Sequence, residues 1–156
     1  ELGGSEWYAL HGAIGNGVPQ VHAETAKTLY QALYRAIQAG LVASCHDCSD
    51  GGLAVALAET AFAGGLGLTV DLRSVPAEGI GRDDELLFSE SQSRFVVTVR
   101  PDAREAFEAA LAGSTFARIG QVTPEEVLRI DGLGGKRIID EELAALKAAW
   151  QKTLMF

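Results

Sequence analysis

The chain has few cysteines and no long hydrophobic run, and each shortage narrows the kind of protein it can be. Its 156 residues include only two cysteines, which fits a protein kept in the reducing cytoplasm. The longest apolar stretch, residues 53–72, is interrupted by Glu59 and by several glycines. No charged-then-apolar signal opens the chain, so neither a membrane-spanning helix nor a secretory leader is predicted. We therefore expect a soluble, cytoplasmic protein with no membrane partner.

Positive charge is also scarce. The chain has 13 Lys and Arg against 21 Asp and Glu, a net charge of -8 at pH 7. Nucleic-acid grooves and anionic membranes attract clustered Lys and Arg, so this balance argues against both partners. The hydrophobic fraction of 47% is enough, at this length, for one domain with its own core. Because the sequence begins with Glu1 instead of Met, we expect a domain cut from a longer polypeptide or a processed product.

The hydrophobic pattern predicts alternating helices and strands. Apolar residues at helical spacing predict helices over residues 25–39, 51–62 and 82–89, and others that start near residues 101 and 140. Apolar or alternating runs predict strands over residues 41–45, 66–72, 94–99, 116–122 and 127–130. The strands over residues 41–45 and 94–99 are expected inside a sheet, and Asp50 and Asp140 are expected to cap helices. These elements predict one α/β (α+β) domain over residues 1–156, a mixed β-sheet with helices packed on it.

The segment with most chemistry is SCHDCSDGGL, at a predicted strand-to-helix turn. Asp47 ends the strand, where open α/β sheets present ligands. The N–H groups of Gly51 and Gly52 begin the helix, where the helix dipole favours an anion such as phosphate. Mg²⁺ would bridge a carboxylate and phosphate oxygens that otherwise repel each other. We therefore predict Asp47 as a metal ligand and the two glycines as phosphate-binding residues, whereas His46, on the opposite strand face, suits a supporting role.

The same segment contains Cys45 and Cys48 in a CxxC pattern, which is typical of metal and redox sites. The chain has no second CxxC and no paired histidines to complete a four-ligand zinc site. Two small, partly buried residues beside a turn are therefore the favoured interpretation. A zinc or redox domain stays open as an alternative.

Three motifs, in order, resemble one enzyme family. They are Leu-Gly-Gly-Ser-Glu at residues 2–6, His-Asp-Cys-Ser-Asp-Gly-Gly-Leu at residues 46–53 and Glu-Ser-Gln-Ser-Arg at residues 90–94. From residue 2 to about residue 150 the chain is similar to phosphoribosylformylglycinamidine synthase subunit II, in the C-terminal domain of its second half. Aminoimidazole ribonucleotide (AIR) synthetase, selenophosphate synthetase and thiamine-monophosphate kinase share this domain type and are the alternative families. The resemblance implies a fold like the C-terminal domain of AIR synthetase.

The resemblance also implies an activity. Enzymes of the family are ATP-dependent amidoligases that convert formylglycinamide ribonucleotide and glutamine-derived ammonia to formylglycinamidine ribonucleotide in de novo purine biosynthesis. The implied cofactors of the intact enzyme are ATP and Mg²⁺. The implied partners are the rest of the synthase chain, which supplies the ATP-binding half-domains, a glutaminase subunit and a small bridging subunit.

Site residues follow from matching motifs. Gln20, Glu90, Ser91 and Gln92 match substrate-binding positions in the first half of the enzyme, and Asp47 matches its magnesium ligand. Because this chain resembles the second half, whose corresponding site is auxiliary, we predict no catalytic residue and no activity for the chain alone. The alternative is a structural interaction module whose polar clusters cap helices and contact other domains.

Overall fold

The computed structural model describes residues 1–152, which form six α-helices and six strands. The helices are α1 (Glu6–Leu10), α2 (Ala23–Gln38), α3 (Gly52–Gly64), α4 (Asp83–Phe88), α5 (Arg104–Ala110) and α6 (Leu143–Lys152). The strands are β1 (Ser44–Asp47), β2 (Gly67–Asp71), β3 (Phe95–Thr98), β4 (Gly120–Thr123), β5 (Val127–Asp131) and β6 (Arg137–Glu142). None of the helices in this range is long and apolar enough to cross a membrane.

The strands form two sheets. Four of them, in the order β4-β2-β5-β6, make a mixed sheet in which β2 and β5 run parallel and the other two pairings are antiparallel. The other two, β1 and β3, make a separate antiparallel pair that places Asp47 opposite Phe95. The predicted α/β fold with a mixed sheet is confirmed. The prediction that the strands near residues 41–45 and 94–99 lie inside that sheet is wrong, because β1 and β3 pair only with each other among the described strands.

The main core lies between α3 and the mixed sheet. Its largest fully buried side chains are Leu57, Leu72, Leu128 and Ile130. Helix α3 contacts α4, α6 and strands of both sheets, and a helix covered on several sides is expected to be apolar around most of its circumference. Its buried residues, which meet this expectation, are Gly52, Leu53, Ala54, Ala56, Leu57 and Ala61. Helix α3 is therefore the element that ties the two sheets together.

Some predicted faces and caps differ from the structure. The helical spacing of apolar residues over residues 25–39 places Tyr30 and Ile37 on the predicted buried face, yet they are 47% and 45% exposed, because alanines of α2 make the contact with α5. Asp140 lies within β6 and does not cap α6, which begins at Leu143. The spacing in the helix predicted to start near residue 140 also places Trp150 on the buried face, yet Trp150 is 45% exposed. The errors for Tyr30, Ile37 and Trp150 concern which side of a helix is covered, which depends on contacts distant in the chain.

Candidate functional site

Glycines shape the start of α3. Gly51 is the N-cap residue with φ of 76°, and Gly52 follows with φ of 63°. A Cβ on Gly52 would lie 2.4 Å from the carbonyl oxygen of Ser89 and 2.8 Å from that of Leu87, so only glycine fits without a backbone shift. The prediction that Asp50 caps α3 is wrong, because the N-cap residue is Gly51 and no side chain of the described residues makes a cap hydrogen bond there.

The carboxylate of Glu90 joins the starts of two helices. Its Oε1 accepts hydrogen bonds from the backbone N–H of Gly51, at 2.9 Å, and of Glu6, at 3.0 Å. The N–H of Gly52 donates to the carbonyl of Ser49 at 2.9 Å. Both amides predicted to hold phosphate are thus bonded within the chain, one of them to an anion. Phosphate binding by Gly51 and Gly52 stays a prediction, and it requires these bonds to be exchanged.

Asp47 presents an ionised carboxylate at the end of β1. Its side chain is 62% exposed, and Ser49 Oγ donates to Asp47 Oδ2 at 2.5 Å. This bond is the main reason that the pKa of Asp47 lies below its ordinary value, with smaller contributions from a backbone hydrogen bond and from His46. A carboxylate held in this way stays charged and accessible to a cation at neutral pH.

His46 is tied to the helices behind the strand. Its Nε2 lies 2.8 Å from Glu59 Oε2 on α3, while its Nδ1 lies 3.6 Å from Asp47 Oδ1. Glu59 also accepts a hydrogen bond of 2.7 Å from the indole Nε1 of Trp150 on α6. These contacts suit a supporting role for His46, because Glu59 on α3 bonds both His46 on β1 and Trp150 on α6.

A cavity of about 450 Å³ opens between the turn after β1 and the segment before β3. Asp47, Glu90 and Gln92, which sequence reasoning placed in the site from two separate motifs, line this cavity together. The other predicted residues lie outside its lining. Ser91 Oγ makes a 2.6 Å hydrogen bond to Ser89 Oγ, and Gln20 lies in the exposed loop before α2.

Sequence reasoning missed the aromatic and basic part of the lining, which is formed by Tyr30, Phe95 and Arg94. The Tyr30 hydroxyl lies 2.8 Å from Ser93 Oγ, and its ring meets Phe95 edge-on with centroids 5.8 Å apart. Ser93 has φ of 63°, a conformation that among the described non-glycine residues it alone adopts. The available signal was the position of Ser93 and Arg94 in the Glu-Ser-Gln-Ser-Arg motif.

The donor groups fit magnesium only in part. Within residues 1–152 no group of three or more His, Cys, Asp and Glu side chains is arranged to hold a metal ion. Mg²⁺ is usually held by one or two carboxylates together with waters and substrate phosphates. Asp47 therefore fits as one ligand of a shared site and not as part of a self-contained metal cage.

The two cysteines do not form a reactive pair. Both are free, with Cys45 exposed and Cys48 buried. Burial raises the pKa of the Cys48 thiol, whereas redox-active CxxC cysteines have lowered pKa values. Since a third metal ligand is also missing from the described residues, the geometry disfavours both the redox and the zinc alternatives.

The fold and the cavity define a class of protein. The family model described as "AIR synthase related protein, C-terminal domain" matches residues 1–132. The chain belongs to this family. This is the C-terminal domain type that the motifs indicated. In this chain it consists of a mixed sheet, a helix that begins at two glycines and packs on that sheet, and a polar cavity at the turn before the helix.

The relatives are more specific than the family. The phosphoribosylformylglycinamidine synthase subunit PurL of Moorella thermoacetica is 39% identical over 160 residues, which cover 99% of this chain and 20% of that protein. The structure of T. maritima PurL complexed with ATP matches with a TM-score of 0.73 and 27% identity, over 84% of this chain and 23% of that one. The structure of PurLQS from Thermotoga maritima matches with a TM-score of 0.71 and 26% identity, over 81% and 22%.

These matches confirm the resemblance to the synthase. This chain spans about a fifth of the length of the curated relative, so it is similar to one domain of PurL. Assignment to the second half of the enzyme stays a prediction.

Proposed function

We propose that this chain works as the C-terminal domain of an ATP-dependent phosphoribosylformylglycinamidine synthase, a ligase that uses glutamine-derived ammonia in cytoplasmic purine biosynthesis. The proposal rests on one observation. Asp47, Glu90 and Gln92, which belong to two separate motifs, line the same cavity. In this proposal residues 1–156 are one domain of a longer chain. They contribute one wall of a nucleotide or phosphate site, and the ATP-binding half-domains supply the other wall.

The proposed roles follow from the chemistry of the side chains. Asp47 would hold Mg²⁺, which would neutralise phosphate oxygens near the acidic cavity. The Gln92 amide can bind phosphate or ribose oxygens without adding charge. Ser91 and Gln20 lie outside the cavity lining, so their predicted contacts with substrate require movement when the domains dock. A substrate contact by Glu90 would use the carboxylate that already joins α1 to α3.

The proposed partners are those of the intact enzyme. The matched PurLQS structure supports a PurL subunit that works in an assembly, and we propose a glutaminase subunit and a small bridging subunit as its members. The acidic charge of this chain gives no reason to propose a nucleic-acid partner.

Calorimetric titration of MgATP into the chain tests the proposed site. We expect the D47N variant to bind at least tenfold more weakly in the presence of Mg²⁺, because it loses the carboxylate that holds the metal. The control is D102N, which removes the same charge from a side chain that is 79% exposed and lies outside the cavity lining. Equal affinity of D47N and the unaltered chain would contradict the site.

An amidation assay tests the claim that the chain is one part of the active centre. With ATP, formylglycinamide ribonucleotide and ammonia, we expect no turnover by the chain alone. Turnover would contradict the proposal that the catalytic groups lie in the missing half-domains.

A second candidate is a purely structural interaction module. The bonds from Glu90 to Gly51 and Glu6 favour it, since they use polar groups of the site to join helices. This alternative predicts no heat of MgATP binding by the chain or by either variant.

A further inference from the structure

Arg94 is a half-buried cation that lines the cavity and has no carboxylate partner among residues 1–152. Its guanidinium donates from Nη2 to the carbonyl oxygen of Ser89 and from Nε to that of Ser91, the second at 3.3 Å. Among the described residues, no Asp or Glu oxygen lies within 4.0 Å of it. The described part of the cavity lining contains no other Lys or Arg.

Six other arginines of the described residues pair with a nearby carboxylate. Arg73, Arg82, Arg100, Arg104 and Arg137 are each more than a third exposed, and Arg129, which is 31% exposed, pairs with Asp140. Burial lowers the pKa of Arg94, and the nearby Cys48 and Glu1 offset this only in part. A partly desolvated charge whose hydrogen bonds to the described residues all go to neutral carbonyls is incompletely compensated. An anionic oxygen entering the cavity would supply the missing compensation.

The backbone around Arg94 holds the guanidinium in a fixed place. The Arg94 carbonyl accepts the N–H of Cys48 at 2.9 Å, which fastens the start of β3 to the turn after β1. The preceding residue, Ser93, is in the left-handed region and its hydroxyl is bonded to Tyr30. Unusual backbone conformations of this kind concentrate at ligand clamps. The two carbonyl bonds use Nη2 and Nε, and Nη1 makes no hydrogen bond to the described residues.

We propose that Arg94 binds an anionic phosphate oxygen of the ligand, beside the cation held by Asp47. This inference rests on the proposed function, in which the cavity takes a phosphate-bearing ligand, and it names the residue that recognises the phosphate. Asp47, Asp50 and Glu90 line the same cavity and would repel a phosphate, so a positive group is required there. A guanidinium suits the task because its planar fork can donate two parallel bonds to phosphate oxygens.

The first test observes Arg94 directly in the unaltered chain. Inorganic pyrophosphate with Mg²⁺ is titrated while the Nε–Hε signal of Arg94 is followed by nuclear magnetic resonance. We expect this signal to shift and saturate together with the backbone amide of Asp47. A shift of the Asp47 amide with an unchanged Arg94 signal would overturn the inference.

The second test compares variants by calorimetry with the same probe. We expect R94Q to bind at least tenfold more weakly, R94K to be intermediate because a point charge replaces the fork, and R35Q to match the unaltered chain. R35Q is the matched control, since it removes the same charge from an exposed position on α2. If circular dichroism shows that R94Q does not fold, R94K decides, and unaltered affinity in R94K overturns the inference.

The same calorimetry distinguishes a failure of the role proposed for Arg94 from a failure of the proposed function. If D47N weakens pyrophosphate binding while R94Q does not, the proposed function stands and the role of Arg94 is rejected. If the unaltered chain binds no pyrophosphate, both are rejected.

Discussion

Replacing Gly52 with alanine should destabilise the fold strongly. Gly52 has φ of 63°, and the added Cβ would lie 2.4 Å from the Ser89 carbonyl oxygen and 2.8 Å from the Leu87 carbonyl oxygen. The left-handed conformation costs an alanine about 1–2 kcal/mol, and overpacking of a tight contact adds about 1–3 kcal/mol. We therefore expect G52A to lower the free energy of unfolding by about 2–5 kcal/mol, a large part of the total for a domain of this size.

Gly65 at the other end of α3 provides the matched control. Its φ is 66°, but a Cβ there would meet no atom of residues 1–152 within 4 Å, so G65A should cost only the conformational term of about 1–2 kcal/mol. Urea denaturation followed by circular dichroism gives both values, provided that the dependence on urea concentration is the same in all three proteins. Equal losses in G52A and G65A would refute the view that close packing against the end of α4 requires glycine at residue 52.

Three further changes test other contacts of the site. E90Q should lower the free energy of unfolding by about 1 kcal/mol, because a neutral amide accepts the two N–H groups at the helix starts more weakly; an unchanged urea midpoint would count against this role. W150F should cost about 0.5–1.5 kcal/mol through loss of the hydrogen bond to Glu59, also measured by urea denaturation, and no loss would show that this bond adds nothing. S49A should raise the pKa of Asp47 towards its ordinary value, measured by a nuclear magnetic resonance titration. Because the lowered pKa keeps Asp47 charged as the pH falls, any stability from its native bonds is lost only as the pH drops through that lowered pKa. If the pKa of Asp47 is unchanged in S49A, the hydrogen bond from Ser49 is not what lowers it.

Local sequence patterns were enough to predict those helices and strands whose apolar faces can be identified from residues close together in the chain. The alternation of Leu68 and Val70 identified β2, and the helical spacing over residues 51–62 identified α3, which the structure extends to Gly64. The apolar run at residues 41–45 gave the wrong start for a strand, because Leu41 and Val42 are not part of that strand. They pack against the small cluster between α2 and α5, and the strand itself starts only at Ser44.

The sequence motifs predicted some residues of the site, but they did not predict which residues of the site contact one another. Asp47 and Gln92 were found because each lies in a recognisable motif, and the pairing of β1 with β3 brings these motifs together. Tyr30 could not be found, since only the packing of α2 beside β3 places it at the cavity. The two bonds accepted by Glu90 depend on the N-terminal segment reaching the start of α3, a contact that no local pattern encodes.

The most direct test of the central claim is a map of backbone amide shifts on titration of MgATP into the chain. The claim is that the cavity beside Asp47 is one wall of a metal-phosphate site. We predict saturable shifts confined to residues 47–52 and 90–95, which in D47N need at least tenfold more MgATP to saturate. Shifts located elsewhere on the domain, or shifts in these segments that saturate at the same MgATP concentration in D47N, would contradict the account.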